Sequence, residues 1–206
     1  MSILTDWGCS LPDLSALDSL LSVATFNTLT ANKYSTDGRV ADLLAEASQS
    51  VRDYAGWHLA PSSKCVLETT FFDKRVTRVN GGVLIQLPAR YVSAVSEILI
   101  GGEAVTEYVL QPNGILLVNS FGSCNPYVTV KVTYTAGLPG TLMSALQNVV
   151  LNRTVKGLSQ SNGVQSETAG GVSISYSSAY MNDASGAGLT PTEVKALAPY
   201  RVQGVF

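Results

Sequence analysis

The stretch Tyr127–Lys156, YVTVKVTYTAGLPGTLMSALQNVVLNRTVK, constrains this chain more than any other. Val128, Val130, Val132 and Tyr134 alternate with Thr129, Lys131 and Thr133, the period-two pattern of a strand with one buried face. The pattern breaks at Ala136-Gly137 and restarts at Pro139 with a different period. Leu142, Leu146, Val149, Val150 and Arg153 recur every three or four residues, which is helical spacing. A sheet is therefore handed to a helix across a short turn, and nothing in the stretch is chemically reactive. The residues by themselves predict a soluble α+β domain.

Composition narrows the class further. Of 206 residues 46% are apolar and 14% charged, so the chain can build a core and is not disordered throughout. The net charge of −2 does not suit a general binder of nucleic acid or anionic membrane. Residues 1–60 carry seven acids and three bases, and the remainder eight and ten, so an acidic front precedes a mildly basic β-rich part. Cys9, Cys65 and Cys124 are too few and too scattered for a disulfide framework or a CxxC metal site, and read as buried or incidental thiols. The first residues lack the basic start and apolar run of a signal peptide, and no apolar run has the length of a membrane span. Asn152-Arg153-Thr154 matches a glycosylation sequon by chance, inside a predicted helix.

In chain order, residues 1–10 read as a loose arm. Pro12 then opens a first helix whose apolar face is Leu14, Leu17, Leu20, Leu21 and Ala24, ending before Asn27. A polar loop runs from Asn27 to Thr36. Thr36 or Asp37 caps a second helix with a stripe of Val40, Leu43, Leu44, Ala47, Val51 and Tyr54, stopped by Gly56. From Lys64 to Tyr134 short apolar runs alternate with turns at Asn80-Gly81-Gly82, Gly101-Gly102 and Asn113-Gly114, a set of antiparallel hairpins. Gly157–Gly163 reads as a flexible turn, Val172–Tyr176 as a short strand, and Asn182–Gly188 as a linker. Thr190-Pro191-Thr192-Glu193 is a capping box for a short last helix, which Pro199 ends. The tail YRVQGVF can dock on another subunit or on its own domain.

Chemistry-bearing groups are sparse. His58 is the only histidine and stands beside Trp57 without an evident Ser, Cys, Asp or second His to orient it, so it reads as structural. Gly81-Gly82, Gly101-Gly102 and Gly170-Gly171 lie between or before strands, whereas phosphate loops lead into helices. No GxSxG elbow or paired-carboxylate motif stands out, and the reading is a protein that is not an enzyme, with no cofactor and no metal. Lys74, Arg75 and Arg78 form the one cationic cluster, either a phosphate-contacting loop or a solvated hairpin tip. The strand aromatics Phe71, Phe72 and Tyr134 are explained equally well as core or as an exposed aromatic cluster.

An ordered set of short motifs resembles the head–tail connector (adaptor, head-completion) proteins of tailed bacteriophages. They are Ala47…Val51…Tyr54-Ala55-Gly56-Trp57, then Leu87-Pro88 with Val92 and Val95, the Gly101-Gly102 turn, and Tyr108, Gly114 and Leu116. Val130-x-Val132-x-Tyr134-Thr135-Ala136-Gly137 follows, then Ser166-Glu167…Gly170-Gly171-Val172-Ser173-Ile174-Ser175-Tyr176, and finally LTPTEVKALAPYR from Leu189 to Arg201. The resemblance spans most of residues 37–201 and is weak over the first 36. It implies an α+β subunit with a helical core of three main helices plus a short C-terminal helix, and an antiparallel β-rich insertion between the second and third helices. The divisions it suggests are 1–60 for the arm and core helices, 61–136 for the insertion, 137–158 for the long core helix, and 159–206 for a flexible loop, short strand, last helix and docking tail.

The same resemblance implies a structural virion protein of the neck, assembled in the host cytoplasm as a ring of about twelve copies below the portal. Its partners would be further copies of itself, the portal protein, a stopper or tail-completion protein, and genomic double-stranded DNA passing non-specifically through the channel. Leu197, Tyr200, Arg201, Val202 and Phe206 would contact portal or neighbouring subunits, and Lys74, Arg75 and Arg78 would face the channel or a partner. A β-rich receptor- or surface-binding virion module is the alternative.

Overall fold

Strand-forming residues dominate the buried interior, and that decides the architecture. The computed structural model describes residues 3–4, 9–12, 16–79, 82–119, 127–159, 166–169, 172–175 and 188–202. These fall into two compact units, one formed by 1–17, 55–139 and 200–206, the other by 18–54 and 140–199.

The first unit is built on strands. Strands β1 (Ile3–Leu4) and β2 (Cys9–Leu11) precede β3 (Ser63–Thr70), β4 (Val76–Val79), β5 (Gly82–Gln86), β6 (Val92–Ile100), β7 (Glu103–Ala104), β8 (Tyr108–Gln111), β9 (Ile115–Asn119) and β10 (Thr129–Ala136). Six of them form one antiparallel sheet in the order β1-β2-β3-β10-β6-β7, and four form another in the order β4-β5-β9-β8. Strand β10 lies at the centre of the larger sheet, paired along its length with β3 and, across two register shifts, with β6. A central strand must satisfy its backbone on both edges, which suits the β-branched residues Thr129, Val130, Val132, Thr133 and Thr135. Val130, Val132, Tyr134 and Ala136 are buried on it, and Cys65 and Leu67 alternate inward on β3. In the smaller sheet Val83, Ile85, Leu116 and Val118 are the buried set.

The second unit is helical. Helix α1 (Val23–Leu29) is capped by Ser22, whose hydroxyl accepts the Thr25 amide, and buries Phe26. Helix α2 (Val40–Ala55) buries Val40, Leu44, Ala47 and Val51, as its stripe requires, and begins close to Asp37. The Asp37 carboxylate accepts the Arg39 amide and two guanidinium nitrogens of Arg39, which hold it down to about 2. Ser48 and Arg52 are buried polar residues of α2, and each ties down the segment before α1. Ser48 Oγ accepts the Leu20 amide at 2.9 Å and Arg52 Nη2 donates to the Asp18 carbonyl at 2.6 Å. Burial pulls Arg52 down to about 10 in spite of Asp18 and Asp53. Helix α3 (Ser144–Ser159) buries Leu146, Val149, Val150, Thr154 and Leu158. A hairpin of β11 (Ser166–Ala169) and β12 (Val172–Ser175) follows. Helix α4 (Pro191–Leu197) starts with the expected capping box, Thr190 Oγ1 accepting the Glu193 amide and Glu193 Oε2 the Thr190 amide.

Four expectations are corrected. The fold is α+β, but strands rather than three main helices supply most of the interior. The strands are not an insertion between the second and third helices either, because β1, β2 and residues 200–202 belong to the strand unit. The first helix does not start at Pro12. Cys9–Leu11 pairs with β3 instead, Leu20 and Leu21 are buried without helical geometry, and α1 begins only after the Ser22 cap. A strand edge offers backbone partners that a marginal short helix cannot match. Finally, Gly157 is not in a flexible turn; α3 continues to Ser159, and a Cβ at Gly157 would meet Leu43 Cδ2 at 3.1 Å. The Asn80-Gly81 turn and the linker residues 182–187 lie outside the described residues.

Two outcomes follow from this packing. A Cβ at Gly137 would collide with the backbone of Ser62, so Gly137→Ala should lower stability by about 2–3 kcal/mol in denaturant unfolding. Asp37 should titrate near 2 by nuclear magnetic resonance, and Arg39→Gln should move its midpoint up toward the ordinary carboxylate range. Because the folded value is depressed, this contribution is present above the unfolded pKa and is lost as pH falls through about 2.

Candidate functional site

The segment after α2 gathers residues that are far apart in the chain. Gly56 (φ 75°) turns the backbone out of the helix, and Trp57, His58 and Leu59 are then all completely buried. Leu59 holds a left-handed φ of 64°, unusual for a bulky residue, while its carbonyl accepts the Leu138 amide at 2.7 Å. Trp57 stacks on Tyr91 with ring centroids 6.1 Å apart and meets His58 edge-on. Its indole Nε1 donates to the Tyr200 carbonyl at 2.8 Å, and the Val202 amide donates to the Ala55 carbonyl at 2.9 Å. Arg90 Nη1 donates to the Arg201 carbonyl at 3.3 Å, and the Gly137 amide to the Tyr91 carbonyl at 3.0 Å. Motif residues from 55–57, 136–137 and 200–201 thus meet at one knot.

The single histidine is part of this structural assembly. His58 Nε2 lies 3.0 Å from the Ala136 carbonyl, which can only accept, so that nitrogen carries the proton. Nδ1 is left facing the Cys65 sulfur at 4.0 Å. The Cys65 thiol is pushed up by its hydrogen bond with Cys9 and by burial. Burial also raises the Tyr134 phenol well above its ordinary value, with both sulfurs adding to the effect. An inert, protonated thiol environment of this kind favours packing over nucleophilic chemistry. Cys9 and Cys65 are free and buried; Cys124 lies outside the described residues. Among the described residues no group of three or more His, Cys, Asp or Glu is placed to hold a metal ion, and no helix is long and apolar enough to cross a membrane.

The proposed contact residues of the C-terminal end are placed unevenly. Leu197 is completely buried in the helical unit and Val202 is 6% exposed in the strand unit, so neither presents a side chain to a partner in this state. Tyr200 is half-buried and Arg201 exposed, while Phe206 lies outside the described residues. As far as Val202, the tail packs on its own chain.

Lys74, Arg75 and Arg78 do come together, on the turn from β3 into β4 and on β4 itself. Lys74 and Arg78 are exposed, and the Arg78 guanidinium stands 5.5 Å over the Phe71 ring, a cation–π arrangement. Arg75 is half-buried beside Asp73, which accepts its amide at 2.9 Å. Burial works against the Asp73 carboxylate, yet the Thr69 hydroxyl and the Arg75 amide keep it below the ordinary range. An open concavity of about 530 Å³ runs along this turn, lined by Phe71, Phe72, Lys74 and Arg78 among others. Phe72 is 66% exposed and meets Tyr127, 76% exposed, edge to face at 5.3 Å. Of the two readings, Phe72 follows the exposed one and Tyr134 the core one. Strand β3 ends at Thr70 and Phe72 lies on the turn that follows, closed by the Asp73 amide on the Thr70 carbonyl, so the strand's inward alternation does not reach it.

Compared with known proteins, the chain matches no family model and no curated sequence.

Trp57→Phe keeps the ring packing but removes the donor to Tyr200. It should cost about 1–2 kcal/mol and raise the exchange rate of the Val202 amide, measurable by hydrogen exchange.

Proposed function

We propose that this chain is a non-enzymatic head–tail connector subunit of a tailed bacteriophage. In this reading it forms a ring below the portal, continues the DNA channel, and gives the stopper or tail protein a surface on which to dock. The observation that carries the reading is the knot around Trp57. Motif segments that resemble the connector family meet through the Trp57–Tyr200 hydrogen bond across 143 residues of sequence, with the Ala55–Val202 and Tyr91–Gly137 hydrogen bonds beside it. Motifs that meet in one tertiary contact support the reading, because they act as one packed unit. Low charge density supports the reading as well, because a channel wall must let DNA slide without the affinity that many phosphate contacts create.

One observation favours the alternative, a receptor- or surface-binding virion module. The exposed Phe72–Tyr127 pair beside Lys74 and Arg78 has the aromatic and cationic character enriched in recognition surfaces.

Mixing the purified chain with the portal protein of the same phage should yield a ring-sized complex of about twelve copies by native mass spectrometry. Only monomer, both alone and with portal, would remove the connector reading. Saturable binding to host cells by a chain that ignores portal would establish the alternative.

A further inference from the structure

Two unlike kinds of group share one surface on the turn from β3 into β4. The rings of Phe72 and Tyr127 stand edge to face in water, although burying apolar area is favourable in proportion to the area removed. Phe72 also lines the open concavity of about 530 Å³, together with Phe71, Lys74, Thr77 and Arg78. The charge of that concavity follows from where Asp73 is engaged. Its Oδ2 accepts the Thr69 hydroxyl at 2.6 Å, its Oδ1 accepts the Arg75 amide at 2.9 Å, and Arg75 Nη1 lies 4.0 Å from Oδ2. Asp73 and Arg75 therefore offset one another, and the exposed Lys74 and Arg78 leave the surface with two positive charges. Both cations line the same concavity, so they act on one ligand. Arg78 stands over the Phe71 ring at 5.5 Å, which restrains a long side chain before any partner arrives.

We propose that this concavity docks an acidic peptide segment of another protein, one with an aromatic or large aliphatic anchor flanked by carboxylates. The anchor covers Phe72 and Tyr127, and the carboxylates meet Lys74 and Arg78. Three observations select a peptide. Two cations are too few to follow a phosphate backbone, whose binding is built from many such contacts. Thr77 is the only neutral polar side chain among the lining residues, whereas a docked sugar ring brings several hydroxyls that each need a partner. Exposed aromatic rings beside an arginine have the composition enriched in protein interfaces. The site does not depend on the choice between the two readings above. The segment belongs to a stopper or tail protein if the chain is a connector, and to a host receptor if it is a surface module.

The test is a titration of the full chain with the probe peptide acetyl-Asp-Glu-Trp-Asp-Glu-amide, followed by the amide shifts of residues 74–78 in nuclear magnetic resonance. The site predicts saturable shifts with a dissociation constant below about 1 mM. Replacing the probe's Trp by Ala, or its acids by Asn and Gln, should weaken binding at least about fivefold. Phe72→Ser, or Lys74→Glu with Arg78→Glu, should do the same, and all three residues are exposed, so the fold tolerates the changes. Lys195→Glu, at an exposed cation on α4, should leave binding unchanged. No shift at about 10 mM probe, or equal binding of the alanine or the neutral probe, overturns the proposal. An equal loss with Lys195→Glu also overturns it, as a sign of general charge attraction. Tighter binding of an oligothymidylate would assign the surface to nucleic acid instead. Self-association that Phe72→Ser abolishes would assign it to a second copy, and either result overturns the peptide site. Ring assembly on portal without probe binding discards the site and leaves the connector reading standing. Probe binding by a chain that ignores portal keeps the site and discards that reading.

Discussion

Strand β10 is the constraint on which the strand unit depends. It pairs on one edge with β3 and on the other with β6, so every residue from Val130 to Ala136 has backbone partners on both sides. Those partners lie about thirty residues away or farther along the chain, which makes the sheet a product of long-range closure rather than of local preference. The buried side chains follow from the same geometry. Val130, Val132, Tyr134 and Ala136 face inward on β10, and Ala136 also offers its carbonyl to His58. The register shifts between Thr133 and Tyr134 and between Thr135 and Ala136 are where the strand bends before Gly137, which lies too close to Ser62 for any side chain.

The knot around Trp57 extends that order to both ends of the unit. A buried indole N–H without an acceptor would be costly, and the Tyr200 carbonyl supplies one. The C-terminal residues Tyr200–Val202 are thereby part of the strand unit's structure. That shifts the search for contact surfaces away from Leu197 and Val202, which are buried, and toward the turn before β4 and the two outer strands of the smaller sheet.

Several elements were legible because their signals are local. Helix α2 announces itself by one apolar stripe, a preceding acid and a following glycine, and α4 by a capping box closed within four residues. The hairpin turns at Gly101-Gly102 and Asn113-Gly114 carry the positive φ values that those residue types tolerate. The Lys74, Arg75 and Arg78 cluster was visible for the same reason, since one turn and the strand it opens hold all three. The first helix was misread because Leu11, Leu20 and Leu21 are buried whichever backbone they adopt. Apolar spacing reports burial, and here the partner that made residues 9–11 a strand was β3, more than fifty residues away.

The sequence by itself determined the α+β character, the turns and the caps, all of which depend on neighbours a few residues apart. Only the tertiary structure decided that strands hold the interior, that the N-terminal residues join their sheet, that the tail is tied to Trp57, and which edges of the smaller sheet are outermost. The reason is physical. Capping, turn formation and amphipathic patterning are settled by short-range sterics and hydrogen bonds. Strand pairing is settled by which distant segment satisfies the backbone and buries the larger apolar face, and no local pattern encodes that choice.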